Sequence, residues 1–80
     1  MQLLVDFSTT GFEAWKSAFD DEAESIRNAG LTQLQIWREA DAPNAVTVLF
    51  SVNDRPRAQA WLDKEAGFGA AFTARFLETL

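Results

Sequence analysis

Residues 46–52, VTVLFSV, alternate with a period of two: Val46, Val48, Phe50 and Val52 fall on one side, and Thr47, Leu49 and Ser51 on the other. A β-branched run with one apolar side is stable only as a strand with that side buried, so this stretch predicts a central strand. The segment before it, EADAPNA at 39–45, joins Asp, Pro and Asn in the manner of a connecting turn. Before the turn, Leu31 to Arg38 also alternates, with Leu34 and Ile36 against Gln33, Gln35 and Trp37. The middle of the chain therefore reads as a hairpin. QLLVDF at 2–7 is a further short strand, stopped by Ser8-Thr9-Thr10-Gly11, and it carries Leu3, Val5 and Phe7 on one side.

Between the first strand and the hairpin the period changes. Phe12, Trp15, Phe19, Ala23 and Ile26 recur every three or four residues, which places them on one face of a helix, while Glu13, Lys16, Asp20, Asp21, Glu24 and Arg27 face water. Thr10, three residues before Glu13, predicts a capping box at the start, and Gly30 predicts a left-handed stop at the end. A second helix follows the hairpin, with Asn53 or Asp54 as cap, Pro56 in the first turn and Ala58, Trp61, Leu62 and Ala66 as its stripe. Gly67-Phe68-Gly69 ends it. The tail TARFLETL reads as a last strand, with a helix over AAFTARFLETL as the alternative.

The order is βαββαβ in one domain over residues 1–80, an α+β chain with a ferredoxin-like path: a four-stranded antiparallel sheet with two helices on one face. Leu3, Val5, Phe7, Leu34, Ile36, Val46, Val48, Phe50 and Val52 form the face that the helical stripes cover. The opposite face carries Leu4, Asp6, Gln33, Gln35, Trp37, Thr47, Leu49 and Ser51, with Arg75 and Leu77 from the last strand. A sheet face open to water seldom displays Leu4, Trp37 and Leu49 together. With no third helix to cover it, a second copy of the same sheet is the simplest cover, and a homodimer is expected.

Composition points the same way. A domain of 80 residues buries only about 60% of its unfolded surface, so extra burial is welcome. Cys and His are both absent, which removes disulfides and the usual zinc and haem ligand sets; no metal and no cofactor are expected. A net charge of −5 with scattered Lys and Arg argues against nucleic acid and anionic membranes. MQLLVDF lacks the basic start and the apolar length of a signal peptide, and no apolar run approaches a membrane span, so a cytoplasmic location is expected.

FEAWKSAFD followed by NAGL, then IWREADAPNAVTVLFSV, then RAQAWL, resembles the dimeric α/β-barrel superfamily, which includes antibiotic-biosynthesis-monooxygenase-like domains. The resemblance spans roughly residues 2–66. It implies a ferredoxin-like protomer whose sheet packs against its partner's to form a barrel, often around a small-molecule pocket. Haem-degrading relatives use an axial histidine that this chain lacks. Cofactor-independent oxygenases of the superfamily are associated with pocket Asn, Trp and Tyr residues; Asn53 and Trp61 stand near the expected places, and Tyr is absent.

The candidate site lies on the face opposite the helices, formed by Leu4, Asp6, Gln33, Gln35, Trp37, Thr47 and Leu49. Trp37 belongs to a dimer interface or to a barrel interior, with simple surface exposure as the remaining alternative. Gln33 and Gln35 either hold a ligand through their amides or pair with water and a partner strand. Asp6 is an acid or base if buried, with an ion pair to Arg75 as the simpler expectation, and the catalytic candidates are Asp6, Asn53 and Trp61. Phe12, Trp15 and Phe19 read as core, and the acidic run at 20–24 as a solvated helix face. Gly67-Phe68-Gly69 lacks the glycines of a phosphate loop, and Phe68 and Phe72 either close a barrel mouth or pack at a dimer edge. The expected function is binding of a small apolar or aromatic molecule by a homodimer. The alternatives are a cofactor-independent monooxygenase or isomerase on an aromatic or polyketide-like substrate, and a structural dimer with a filled barrel.

Overall fold

The computed structural model describes residues 1–80. Strand β1 (Gln2–Ser8) leads into helices α1 (Phe12–Asp21) and α2 (Ala23–Asn28), then strands β2 (Leu31–Glu39) and β3 (Ala42–Val52), helix α3 (Arg55–Gly67) and strand β4 (Phe72–Leu77). The four strands form one antiparallel sheet in the order β2-β3-β1-β4. The path is βαββαβ with the first helical segment in two pieces, and the tail is a strand. No helix is long and apolar enough to cross a membrane.

Leu3, Val5 and Phe7 of β1 pair with Phe50, Val48 and Val46 of β3, and all six are buried beneath the helices. Phe50, fully buried, lies 6.4 Å from Phe19 of α1 and 6.0 Å from Trp61 of α3 between ring centroids, so one side chain ties both helical layers to the central strand. The aromatic stripe of α1 continues this seam: Trp15 stacks on Phe19 at 4.9 Å and sits 5.1 Å from Phe7. Phe12 and Trp15 are half-buried and Phe19 buried, the core placement that their spacing predicts. Arg38 caps this end of the core by lying over the Phe12 ring at 4.7 Å.

Three parts of the expected helical pattern are corrected. The helix starts one residue later than a capping box at Thr10 requires: Gly11 occupies the cap position in extended backbone, and no side chain caps the helix. At Glu22 the chain tightens, its N–H bonding to the Phe19 carbonyl three residues back, and α1 gives way to α2. Ala23 and Ala66 are exposed, so each stripe is one residue narrower than expected.

The larger correction concerns β2. The register runs Leu31 to Val52, Thr32 to Ser51 and Gln33 to Phe50, then resumes with Gln35 opposite Leu49, leaving Leu34 as an extra residue in a β-bulge. Leu34 is 51% exposed and outside the core. The bulge exists because Leu31 and Ile36, both inward-facing, are an odd number of residues apart, and an unbroken strand would turn one of them outward. Gln33 consequently faces the helix side with Phe50, not the open face, and borders a hollow lined by Phe19, Ala23, Ile26 and Arg27.

Gly30 joins the two halves of the helical layer. Its φ of +73° is the left-handed stop expected, its carbonyl accepts from the Asn53 N–H at 2.8 Å, and a Cβ there would meet Asp54 Cβ at 2.8 Å and Asp54 N at 3.0 Å. Gly69 is also left-handed, at +88°, but a Cβ there meets nothing within 4 Å. Gly30→Ala should therefore cost roughly 2 kcal/mol or more, and Gly69→Ala about 1 kcal/mol, in urea unfolding. Equal losses at the two sites would refute the close approach to Asp54.

Candidate functional site

The uncovered face of the sheet is ordered as rungs across its strands. One rung runs Trp37, Thr47, Asp6, Thr73, and the next Gln35, Leu49, Leu4, Arg75. Of the seven residues expected to bind a ligand, this face brings together Leu4, Asp6, Gln35, Trp37, Thr47 and Leu49, and Gln33 is elsewhere. Trp37 is 46% exposed, Leu77 37%, and Leu4 and Leu49 are half-buried within a single chain.

A hollow of about 540 Å³ opens at one end of this face, lined by Asp6, Ser8, Trp37, Glu39, Ala45 and Thr47, with the main chain of Phe7 and Val46, whose side chains point into the core. The strands explain its position. After Arg38 pairs with Val46, the next β2 partner is Glu39 with Ala42, so Pro43, Asn44 and Ala45 are surplus on β3. Pro43 has no N–H for a ladder, and this end of β3 follows β1 instead: Ala45 pairs with Ser8, and the Thr9 N–H donates to the Asn44 carbonyl at 2.8 Å. The β2–β3 ladder is interrupted beside the rung that carries Trp37 and Asp6. The connecting turn is correspondingly shorter than EADAPNA, only Ala40 and Asp41.

Within the hollow the Thr47 hydroxyl donates to Asp6 Oδ1 at 2.6 Å. The expected ion pair between Asp6 and Arg75 does not form: Arg75 lies opposite Leu4, one rung away, and the salt bridges are Lys16 with Asp20 and Arg57 with Asp54. Asp6 thus keeps its second oxygen open toward a ligand donor, Glu39 adds another carboxylate, and Trp37 supplies a flat apolar wall. The arrangement suits an aromatic or apolar body carrying hydroxyl or amine donors. Ser8, Glu39 and Ala45 were read from the sequence as a strand stop and a turn, not as site residues; Pro43 inside a strand was the signal for the irregularity that brings them in.

The other catalytic candidates are not at this site. Trp61 is 4% exposed in the core, in T-shaped contact with Phe50. Asn53 is exposed at the β3–α3 junction, where Asp54, not Asn53, caps α3 by accepting from the Arg57 N–H at 3.1 Å. Phe68 is 81% exposed, whereas Phe72 packs on Phe7 with ring centroids 5.9 Å apart. No group of His, Cys, Asp and Glu side chains has a metal-holding arrangement. Compared with protein-family models and with curated proteins, the chain matches none.

One carboxyl titrates away from its ordinary range, and it lies in the helical layer. Glu65 of α3 is raised from 4.5 to about 7, chiefly by burial, then by a hydrogen bond and charge repulsion from Glu22, with Lys64 opposing. The native state therefore holds more protons than the unfolded chain between these limits, and stability falls as pH rises through this window. The contribution is fully present below about 4.5 and lost above about 7. Glu65→Gln should flatten this slope in urea unfolding series while leaving the value at pH 4 little changed; an unaltered slope would assign the titration to another group.

Proposed function

We propose that the protein binds a small apolar or aromatic molecule as a homodimer, a second copy covering the open face of the sheet and closing the hollow beside Trp37. The observation that carries this reading is the uncovered face itself: Trp37 is exposed beside a hollow whose volume, about 540 Å³, suits a small ligand, and Leu4, Leu49 and Leu77 are part-exposed farther along the same face. The strand order and βαββαβ path agree with a ferredoxin-like protomer, and the dimeric α/β-barrel arrangement that the sequence resembles pairs such sheets face to face. In this reading Leu4, Leu49 and Gln35 belong to the sheet-to-sheet contact, Trp37 stands at the boundary between contact and pocket, and Asp6, Thr47, Ser8 and Glu39 orient the ligand's polar groups.

Binding is favoured over turnover. Of the three catalytic candidates only Asp6 lines the hollow, while Asn53 and Trp61 lie elsewhere. The open volume also favours a pocket over a barrel filled by side chains.

Light scattering should give the mass of two chains at micromolar concentration. Trp37→Lys should weaken association at least about tenfold, as loss of an interface anchor does, with thermal unfolding of the core unchanged. A monomeric wild-type chain, or a dimer indifferent to the substitution, would overturn this reading.

A further inference from the structure

A second hollow lies in the helical layer, on the other side of the sheet from Trp37. It is a groove between α2 and α3 of about 290 Å³, walled by Ser25, Asn28 and Ala29 on one side and by Arg57, Ala60, Trp61 and Lys64 on the other. The α3 residues fall at i, i+3, i+4 and i+7, the spacing of one helix face. None of the lining residues is acidic, in a chain with 12 acidic and 7 basic residues. Such a segregation places two cations along one short groove, with Asp54, 3.5 Å from Arg57 Nε, as the carboxylate paired with one of them.

The hydrogen-bonding capacity there is one-sided as well. Lys64 Nζ donates to Ser25 Oγ at 3.1 Å, which occupies an acceptor position of the hydroxyl and leaves its proton to be given elsewhere. Asp54 Oδ2 lies 3.5 Å from Arg57 Nε, and the planar fork offers further N–H donors to another acceptor. Asn28 adds an amide donor. Trp61 is 96% buried by complement of its 4% exposure, and its Nε1–H has no acceptor. A buried donor without a partner is uncommon in folded proteins. That N–H is shut off from bulk water, and the groove is an opening that Trp61 lines; exposed, rotamer-rich Arg57 and Lys64 are the lining side chains able to give way.

We propose that this groove binds a small oxyanion, a phosphate or carboxylate group, held by Arg57 and Lys64 and accepting from Ser25, Asn28 and the Trp61 indole. An anion with several oxygens supplies the acceptors that the groove lacks. This site is independent of the hollow beside Trp37.

The three tryptophans, Trp15, Trp37 and Trp61, give three indole N–H signals in a ¹⁵N-labelled sample, two of which serve as internal controls. Inorganic phosphate and, separately, acetate are titrated against a sodium chloride series of matched ionic strength. The Trp61 indole should shift saturably while Trp15 and Trp37 stay in place. The double variant Arg57→Gln, Lys64→Gln, altered only at exposed side chains, should weaken that binding at least tenfold. A response to phosphate alone assigns a phosphate ligand, and a response to both probes a general oxyanion site. No saturable shift at Trp61, a shift reproduced by chloride, or an unchanged affinity in the double variant would overturn the proposal.

Discussion

Phe50 is the contact on which the architecture turns. It lies on β3, the strand flanked by β2 and β1, is wholly excluded from solvent, and touches one ring from each helical half, Phe19 and Trp61. Full burial of a phenylalanine side chain is worth roughly 1.5–3 kcal/mol, and each well-placed aromatic neighbour adds about 0.5–1.5 kcal/mol. In a domain this small those sums are a sizeable part of the net stability. The seam through Trp15, Phe7, Phe19, Phe50 and Trp61 holds both helical segments against one face of the sheet and so leaves the other face bare. The candidate site exists on that bare face as a consequence of where the rings went.

The bulge at Leu34 shows how a local irregularity decides which residues reach the site. Simple alternation puts Leu34 inside and Gln33 outside, because it assumes that every residue of β2 has a partner on β3. The competing demand is that Leu31, at the start of the strand, and Ile36, in its middle, both bury against the helices. One extra residue reconciles them, at the expense of exposing Leu34. Gln33 is thereby moved to the helix side, while Gln35 and Trp37, beyond the bulge, keep the outward orientation that alternation predicts. The odd spacing of Leu31 and Ile36 was visible in the sequence, and the choice between them and Leu34 rested on packing.

Much of the candidate site was legible because cross-strand alternation is a local rule. Asp6, Thr47 and Trp37 share one rung, and Leu4, Leu49 and Gln35 the next, once β1 and β3 are given the pairing that buries Leu3, Val5 and Phe7 against Phe50, Val48 and Val46. What was not legible was the end of the hollow. Ser8, Glu39 and Ala45 come together only because β3 leaves β2 at Pro43 and continues along β1, a choice between two neighbours at long range. The partner of Asp6 was likewise decided by register: Thr47 is directly opposite, and Arg75 a rung away.

Periodicity by itself determined the elements, their order and the sorting of most side chains into a helix-covered and an uncovered face, since hydrophobic spacing of 2 or of 3 to 4 residues reports the backbone geometry that can bury it. It also assigned Phe12, Trp15 and Phe19 to the core. Only the tertiary structure decided between strand and helix for the tail, and produced the bulge, the placement of Trp61 against Phe50 with its N–H unpartnered, and the groove between α2 and α3 whose basic residues both come from α3. These depend on contacts between segments far apart in the chain, and the spacing of residues within a segment carries no information about which distant side chain it will meet.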